Sequence, residues 1–245
     1  MRSQKLLNAV GFTIAILLSQ NSPFALAIPN PIDNGDKASL PEVPPTPQPP
    51  DGNRQPGGGL GEPTISVCPA KSQELTAITP LNVQGQTLSA HPTFWFYVPY
   101  TADEVESGQF EILTQDEFDR IYKTSFKLPE QPGFISITLP EGEAPGLQED
   151  QYYHWYLTLS CVLDESTKTD LTIDGWVQRL PATPELEAAV MDVSPDIWYD
   201  SFDYLAKQLK TDASLGQRWT EVLTEIELDD FTQEPLVGPV MLTDE

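Results

Sequence analysis

Two histidines are the side chains of this sequence best suited to acid–base chemistry near neutral pH. His91 precedes a proline in a predicted turn, and His154 lies on the more polar face of a predicted strand. A catalytic histidine needs a nucleophile and an orienting acid, but the sequence has no Gly-x-Ser-x-Gly element and no His-Glu-x-x-His spacing. We therefore predict no catalytic residue, and we expect both histidines to be ordinary surface or hydrogen-bonded side chains.

Carboxylates are abundant, with 37 Asp and Glu against 13 Lys and Arg. A pair of them could hydrolyse a glycosidic bond, although in so acidic a chain neighbouring acids are expected by chance. Asp164, Glu165 and Asp170 form one cluster on a predicted loop and Asp229 with Asp230 another. Both offer the oxygen ligands that calcium uses, but neither follows EF-hand spacing. We predict no metal and no cofactor.

The net charge of −24 limits the classes of partner. Binding of phosphate groups needs clustered Lys and Arg, so the charge argues against a nucleic acid. Anionic lipid surfaces should also repel the chain. A basic partner is compatible with this charge, whose simplest consequence is solubility.

Cys68 and Cys161 are the two cysteines of the chain. In an exported protein an even count predicts one disulfide, here closing a loop of roughly 90 residues. A metal pair or a catalytic thiol is the alternative, but neither cysteine has a second Cys or a His at metal-ligand spacing.

The N-terminal 27 residues have the features of a signal peptide. Arg2 and Lys5 precede an uncharged, mostly apolar stretch, and cleavage is predicted near Ala27. The stretch is too short to span a membrane, so we predict a periplasmic or secreted protein with no membrane contact after cleavage. Residues 28–63 are rich in Pro and Gly and predict a disordered spacer.

The run from Tyr152 to Cys161 alternates strictly, as a strand with one apolar face does. Tyr153 and Trp155 belong to the apolar face that should enter a core. Tyr152, His154 and Tyr156 belong to the opposite face, which we predict as the face available for recognition.

Seven short segments of this kind precede residue 181, the number found in an immunoglobulin- or fibronectin-III-like antiparallel β-sandwich. Leu147 followed by Tyr153 resembles the fibronectin-III tyrosine corner, in which the phenol hydrogen-bonds the connecting backbone. We predict a sandwich over residues 64–182. The segments are Leu75–Ile78, Thr93–Tyr100, Gln109–Leu113, Arg120–Leu128, Gly133–Pro140, Tyr152–Cys161 and Leu171–Leu180.

The pattern becomes helical after residue 182. Thr183-Pro184-Glu185 and Ser194-Pro195-Asp196 both predict helix starts. Apolar residues then recur at helical spacing, and we expect Trp198 and Trp219 to be buried; a groove-binding surface for a partner is the alternative. The prediction is a small helical subdomain over 183–231 and a disordered tail over 232–245.

Several of these motifs together resemble a family of exported cyanobacterial proteins known as domain of unknown function 928. The resemblance covers about Thr64 to Leu228 and implies an exported protein of cyanobacterial type, but it supplies no catalytic residues. It rests on the proline-rich leader, Cys68, Leu75–Pro80, Pro92–Tyr100, Tyr153-His154-Trp155, Cys161, Gly175–Arg179 and Ile197–Asp200.

The shortage of catalytic groups favours a non-enzymatic, exported binding module whose partner is another extracytoplasmic protein. Two alternatives remain: an extracytoplasmic hydrolase that acts on a saccharide through paired carboxylates, and a carbohydrate-binding module that uses surface aromatics such as Tyr100 and Tyr152. The sequence does not indicate an oligomeric state.

Overall fold

The computed structural model describes residues 48–56, 68–164 and 167–243. The predicted signal peptide, most of the predicted spacer and Glu165 lie outside the described residues. Within them the chain is mainly β, with ten strands in two mixed sheets and three α-helices near the C-terminal end.

The two sheets have four and six strands. The four-stranded sheet has the order β1 (Thr76–Ala77), β3 (Thr93–Val98), β6 (Gly133–Thr138) and β9 (Leu236–Pro239). The six-stranded sheet has the order β10 (Met241–Thr243), β5 (Arg120–Lys127), β4 (Val105–Thr114), β7 (Tyr152–Asp164), β8 (Thr167–Arg179) and β2 (Gln84–Thr87). Neighbouring strands are antiparallel except for the parallel pairs β6–β9 and β2–β8.

All seven predicted strands are present, and three further strands were not predicted. β2 has the sequence Gln-Gly-Gln-Thr, which lacks apolar alternation, and it forms because it pairs with β8. β9 and β10 lie in residues 232–243, for which the sequence predicted a disordered tail. They add one strand to the edge of each sheet, so that part of the tail is ordered by tertiary pairing.

β7 confirms the alternation expected of it. Tyr153 and Trp155 face the core and are buried, and the Tyr153 hydroxyl accepts a hydrogen bond of 2.8 Å from the backbone N–H of Gln148. The predicted tyrosine corner is therefore formed. The Trp155 ring packs edge-on against Phe96 of β3, with 5.5 Å between ring centroids, so the two sheets share one apolar core.

β3 is covered on both sides. All six of its residues are buried. Phe94 and Phe96 face the six-stranded sheet, whereas the Trp95 ring lies 6.0 Å from Phe202, on the opposite side. This explains why the segment is aromatic on both faces instead of alternating.

The three helices are α1 (Pro184–Met191), α2 (Trp198–Leu209) and α3 (Gly216–Glu225), and the last two cover the outer side of the four-stranded sheet. Phe202 of α2 packs on Trp95, and Trp219 of α3 packs on Phe134 of β6 at 5.1 Å. Trp198 and Trp219 are buried as predicted. The apolar stripes of α2 and α3 are thus directed at the sheet and not at a partner.

The two predicted helix starts are confirmed. The Thr183 hydroxyl accepts a hydrogen bond of 3.3 Å from the N–H of Leu186, which caps α1. Ser194 accepts one of 3.2 Å from the N–H of Asp196 and begins a 3₁₀ turn over Pro195–Ile197 that leads into α2. Side-chain oxygens at these positions satisfy backbone donors that the helix leaves unpaired.

The predicted Cys68–Cys161 disulfide is present. The two Cα atoms are 5.3 Å apart, and both cysteines are buried. It joins the segment before β1, the first strand of the four-stranded sheet, to the C-terminal part of β7 in the six-stranded sheet.

Residues 51–54 contact both sheets, although composition predicted a solvated spacer there. The Asn53 carbonyl accepts a hydrogen bond from the N–H of Asp174 in β8, and the Arg54 carbonyl accepts one from Ala77 in β1. The Arg54 guanidinium donates to the carbonyl of Ile226 at 2.6 Å, and burial lowers the pKa of Arg54 to about 10. Residues 51–54, on the N-terminal side of the predicted boundary at Thr64, therefore pack against the folded domain.

Candidate functional site

The candidate site lies on the outer face of the six-stranded sheet, defined here as the face that carries Tyr152, His154 and Tyr156. Strand alternation places these three side chains together, as predicted, and opposite the core residues Tyr153 and Trp155. Tyr152 and Tyr156 are half-buried, but His154 is only 7% exposed. His154 is thus part of the support of this face and not a side chain open to a ligand.

His154 lies between two carboxylates. Its Nδ1 is 2.7 Å from Oε1 of Glu117, in the connection between β4 and β5, and its Nε2 is 2.8 Å from Oδ2 of Asp174 in β8. The Tyr156 hydroxyl lies 2.9 Å from the same Nδ1 and donates to Glu117 at 3.1 Å. A neutral imidazole would donate to only one of these two carboxylates, whereas an imidazolium would donate to both. The four side chains form one network that joins β7, β8 and the connection between β4 and β5.

Trp176 completes the support of His154. It is the β8 residue paired with His154, and the two rings stack with 3.9 Å between centroids and 12° between planes. Trp176 is 3% exposed, and its indole Nε1 is buried without a hydrogen-bond partner among the described residues. The stack fixes the imidazole plane, and hence the direction of both of its nitrogens.

Asp174 is held in its charged form. Burial alone would raise its pKa, but hydrogen bonds from His154 and from the Asn53 amide, the latter of 2.6 Å, outweigh burial and lower the pKa of Asp174. The pKa of Tyr156 moves the other way, because burial and the neighbouring Glu117 carboxylate disfavour the phenolate.

This geometry fixes the orientation of the side chains in the network. Both imidazole nitrogens already face a carboxylate, so neither is directed at a nucleophile, as a triad requires. A glycosidase needs an acid with a raised pKa, whereas the pKa of Asp174 is lowered. Among the side chains that the structure describes, no three His, Cys, Asp or Glu groups converge as metal ligands would.

The connection between β4 and β5 is a rigid hairpin turn, here called the 115–119 turn. The Asp116 carboxylate accepts hydrogen bonds from the Thr114 hydroxyl at 2.6 Å and from the N–H of Phe118 at 3.2 Å. Glu117 has a φ of 60°, a conformation uncommon outside glycine, and its side chain is fixed by His154. Phe118, next to it, is 87% exposed. The turn therefore presents a large apolar ring on a fixed backbone.

The other residues singled out in the sequence lie apart from this network. Tyr100, predicted as a surface aromatic, is buried beneath Lys71, whose Nζ lies 5.6 Å from the ring centroid, so it offers no platform to a sugar. His91 is half-buried, and its Nδ1 has no hydrogen-bond partner among the described residues. Asp170 accepts a hydrogen bond of 2.6 Å from the Ser160 hydroxyl.

Sequence reasoning missed Glu117, Phe118 and Asp174 as parts of the site. Asp174 could have been found, because strand pairing of the Tyr152 and Leu171 segments places polar residues of both on one face. Glu117 gave no such signal, since its approach to His154 depends on the conformation of the 115–119 turn.

Replacing Asp174 with Asn is expected to lower the free energy of unfolding by about 1.5–3 kcal/mol at pH 7, the range for hydrogen bonds to charged groups. Asn has one acceptor oxygen and no charge, so its NH₂ would face either the Asn53 NH₂ or Nε2 of His154, and neither hydrogen bond would keep a charged acceptor. Because folding lowers the pKa of Asp174, its contribution is complete above the pKa of the unfolded chain and is lost as pH falls through the folded value. Urea unfolding of both proteins at pH 7 and pH 3 measures this.

The matched control is Asp103→Asn, at an exposed carboxylate, which should change stability little at either pH. If the difference in the free energy of unfolding between the wild type and Asp174→Asn stayed constant down to pH 3, the carboxylate would not be stabilised by these hydrogen bonds.

None of the helices in the described part of the chain is long and apolar enough to cross a membrane. Neither a curated protein nor a solved structure matches the chain. A family model described as Domain of Unknown Function (DUF928) matches residues 51–236, well over half of the 245 residues. The family predicted from the sequence motifs is thereby confirmed, whereas the cyanobacterial origin and the export stay predictions; the chain belongs to this family of unknown function.

Proposed function

We propose that this protein is an exported, non-enzymatic binding module that engages another extracytoplasmic protein through the 115–119 turn and the adjoining outer face. The observation that carries the proposal is Phe118, an aromatic ring that is 87% exposed on an ordered turn. Burying such a ring against a partner is favourable, and aromatic residues dominate the binding energy of protein interfaces.

The surroundings of Phe118 indicate the chemistry of the partner. Asp116, Glu117 and Asp119 flank the ring in sequence, and the whole chain is strongly acidic. A complementary surface would carry an apolar pocket bordered by Lys and Arg, because opposite charges guide association and exclude wrong partners.

Rigidity supports the same proposal. The 115–119 turn is fixed by the Asp116 hydrogen bonds and by the contact of Glu117 with His154. A surface that is already in its bound conformation loses little entropy on association. In contrast, the four-stranded sheet is covered by α2 and α3, so the outer face of the six-stranded sheet is the one left for a partner.

We infer, further, that the two sheets form an immunoglobulin- or fibronectin-III-like sandwich. The order β1-β3-β6 follows strands A-B-E of that fold, and β5-β4-β7-β8 follows C′-C-F-G. The tyrosine corner at the start of β7 supports the assignment of β7 as strand F. Inter-strand NOEs that placed β4 next to a strand other than β5 or β7 would contradict it.

Export to the periplasm or the cell exterior is part of the proposal. The basic and apolar composition of residues 1–27 supports it. The Cys68–Cys161 disulfide is consistent with it, since disulfides persist in oxidising compartments. N-terminal sequencing of the protein recovered from cells that found an uncleaved residue 1 would contradict it.

The experiment that tests the interaction is photo-crosslinking from the 115–119 turn. A photoreactive phenylalanine at position 118 of the full chain is expected to capture one protein in the extracytoplasmic fraction. The same residue at position 191 is the control, because Met191 is also exposed (60%) but lies at the end of α1.

The captured protein is then purified and titrated against the wild type, Phe118→Ala and Met191→Ala. Phe118→Ala should bind at least tenfold more weakly, a loss of about 1.4 kcal/mol, and Met191→Ala should bind as the wild type does. Affinity should fall with added salt, because the proposed contact pairs carboxylates with basic groups. Equal affinity of the Phe118→Ala variant, or equal capture from both positions, would overturn the proposal.

A further inference from the structure

We propose that a cleft beside β2 binds an uncharged, polyhydroxylated ligand, of which a neutral saccharide is the representative class. The cleft has a volume of about 190 Å³ and lies where the outer face meets the 3₁₀ turn before α2. It is separate from the 115–119 turn, and the inference does not depend on the protein partner proposed for that turn.

The chemical nature of the lining is unusual for this chain. Four of the lining side chains are carboxamides, one is a tyrosine, and none of the described residues that line the cleft is charged. The residues that matter for the argument are Gln48, Asn82, Gln84, Gln86, Tyr152 and Pro195. The chain has a net charge of −24, but the described lining of the cleft is uncharged. The lining therefore repels neither cations nor anions, and it offers an ion no side chain of opposite charge.

Three of the carboxamides are already oriented by hydrogen bonds. The Gln84 NH₂ donates to the carbonyls of Pro49 and Pro50, at 3.0 and 3.3 Å, and the Gln86 NH₂ donates to Gln178 at 3.4 Å. Asn82 uses its amide oxygen to accept from the N–H of Gln84 at 3.3 Å. These bonds leave the Gln84 and Gln86 amide oxygens as acceptors, and the Asn82 NH₂ and the second N–H of Gln86 as donors.

This set of groups selects hydroxyls. A hydroxyl donates one hydrogen bond and accepts others, so neighbouring hydroxyls on one ring can pair with acceptors and donors together. A carboxylate or phosphate only accepts, and would place negative oxygens against the two amide oxygens. An ammonium only donates, and would leave the Asn82 NH₂ without an acceptor. An uncharged polyol both donates and accepts, and so can pair with the amide oxygens and the amide N–H groups alike.

Tyr152 supplies the apolar contact that a sugar ring needs. It is half-buried, so part of its ring stays accessible. The face of an aromatic ring carries partial negative charge and attracts the polarised C–H groups of a ring that lies against it. One aromatic face with several directed polar groups is the usual composition of a small-ligand site.

An extended peptide is the other ligand that carboxamides could bind, and the fold argues against it. A peptide would bind at the edge of the sheet by adding a strand to β2. At that edge the N–H of Leu88 already donates to the Asp200 carboxylate of α2 at 2.9 Å. An added strand would have to displace this hydrogen bond, whereas a small ring in the cleft would not.

The test is a titration of the full chain with neutral oligosaccharides, namely maltohexaose, cellohexaose and laminarihexaose, with tetragalacturonate and tetra-alanine as the charged and peptide probes. Binding is followed by calorimetry and by the side-chain NH₂ signals of Gln84 and Gln86 in ¹H–¹⁵N spectra. We expect at least one neutral oligosaccharide to bind and to shift both signals. Tyr152→Ala should weaken that binding at least tenfold, and Tyr152→Phe should keep most of it.

Phe118→Ala is the matched control, since it removes an exposed aromatic ring of the outer face that does not line the cleft. This variant should bind the oligosaccharide as the wild type does but should lose the protein partner. The failure of the saccharide proposal can therefore be distinguished from the failure of the protein-partner proposal. Should Tyr152→Ala not fold, Gln86→Ala provides the same test. The inference is overturned if no neutral oligosaccharide binds at millimolar concentration, if tetragalacturonate or tetra-alanine binds as well, or if the Tyr152 variants bind unchanged.

Discussion

Replacing both Cys68 and Cys161 with alanine is expected to lower the free energy of unfolding by about 4–5 kcal/mol. The two residues are 93 positions apart, and their disulfide closes that loop in the unfolded chain as well as in the folded one. Without it the unfolded chain gains the conformational entropy of an open loop, which is the origin of the loss in the chain-entropy model. A domain with an ordinary stability of roughly 5–15 kcal/mol would lose a large part of it.

Urea unfolding of the wild type and the double variant, with and without reductant, measures this effect. Reduced wild type should unfold close to the double variant, since both lack the covalent link, and reductant should not change the double variant. The single variant Cys161→Ala should resemble the double variant, because the covalent link is absent from both and position 161 is alanine in both. A wild type whose unfolding midpoint did not respond to reductant under conditions that open the disulfide would contradict the prediction.

Strand β7, which contains Cys161, shows how much of the fold can be predicted from the sequence. The alternation of Tyr153 and Trp155 against Tyr152 and His154 is enough to predict which face of β7 enters the core. Leu147, six residues earlier, adds the tyrosine corner. Both features depend on local patterns, in which the period of side chains along a strand decides burial, and both are confirmed.

What could not be predicted depends on contacts distant in sequence. β2 has no apolar alternation and becomes a strand because β8 supplies its hydrogen-bond partners. β9 and β10 add to sheet edges in the same way, across about 100 residues of intervening chain in each case. Residues 51–54 have the composition of a spacer, yet their backbone carbonyls accept hydrogen bonds from both sheets. The composition of a segment carries no information about the distant sheet edges with which that segment can pair.

The candidate site likewise contains residues that could be predicted from the sequence and residues that could not. Tyr152, His154 and Tyr156 were placed on one face because period two requires it. Glu117 reaches His154 only because a residue with positive φ turns the backbone of the 115–119 turn, and Phe118 is exposed for the same reason. The recognition face was therefore predictable as a strand face, whereas the residue that we propose as its main contact lies in a turn.

Replacing Gly175 with Ala is expected to lower the free energy of unfolding by about 3 kcal/mol, the upper end of the cost of over-packing a core. Gly175 pairs with Trp155 across β7 and β8, and a Cβ on it would lie 2.4 Å from Cζ2 of Trp155 and 2.5 Å from Cγ1 of Val83. Trp155 cannot move away freely, because its indole N–H donates to the Tyr199 hydroxyl at 2.8 Å within the core. Val83 is also fixed, at a φ of 56°.

Gly216→Ala is the matched control for this substitution. Gly216 begins α3, and a Cβ there would meet nothing within 4 Å. Alanine is favoured over glycine in a helix by up to about 1 kcal/mol, so this variant should be as stable as the wild type or more so. Thermal and urea unfolding of the two variants measure the difference, and near-UV circular dichroism reports whether the environment of Trp155 has changed. If Gly175→Ala were as stable as Gly216→Ala, the close packing of β8 on Trp155 could not be as described, and the family motif Gly175-Trp176 would need another physical reason.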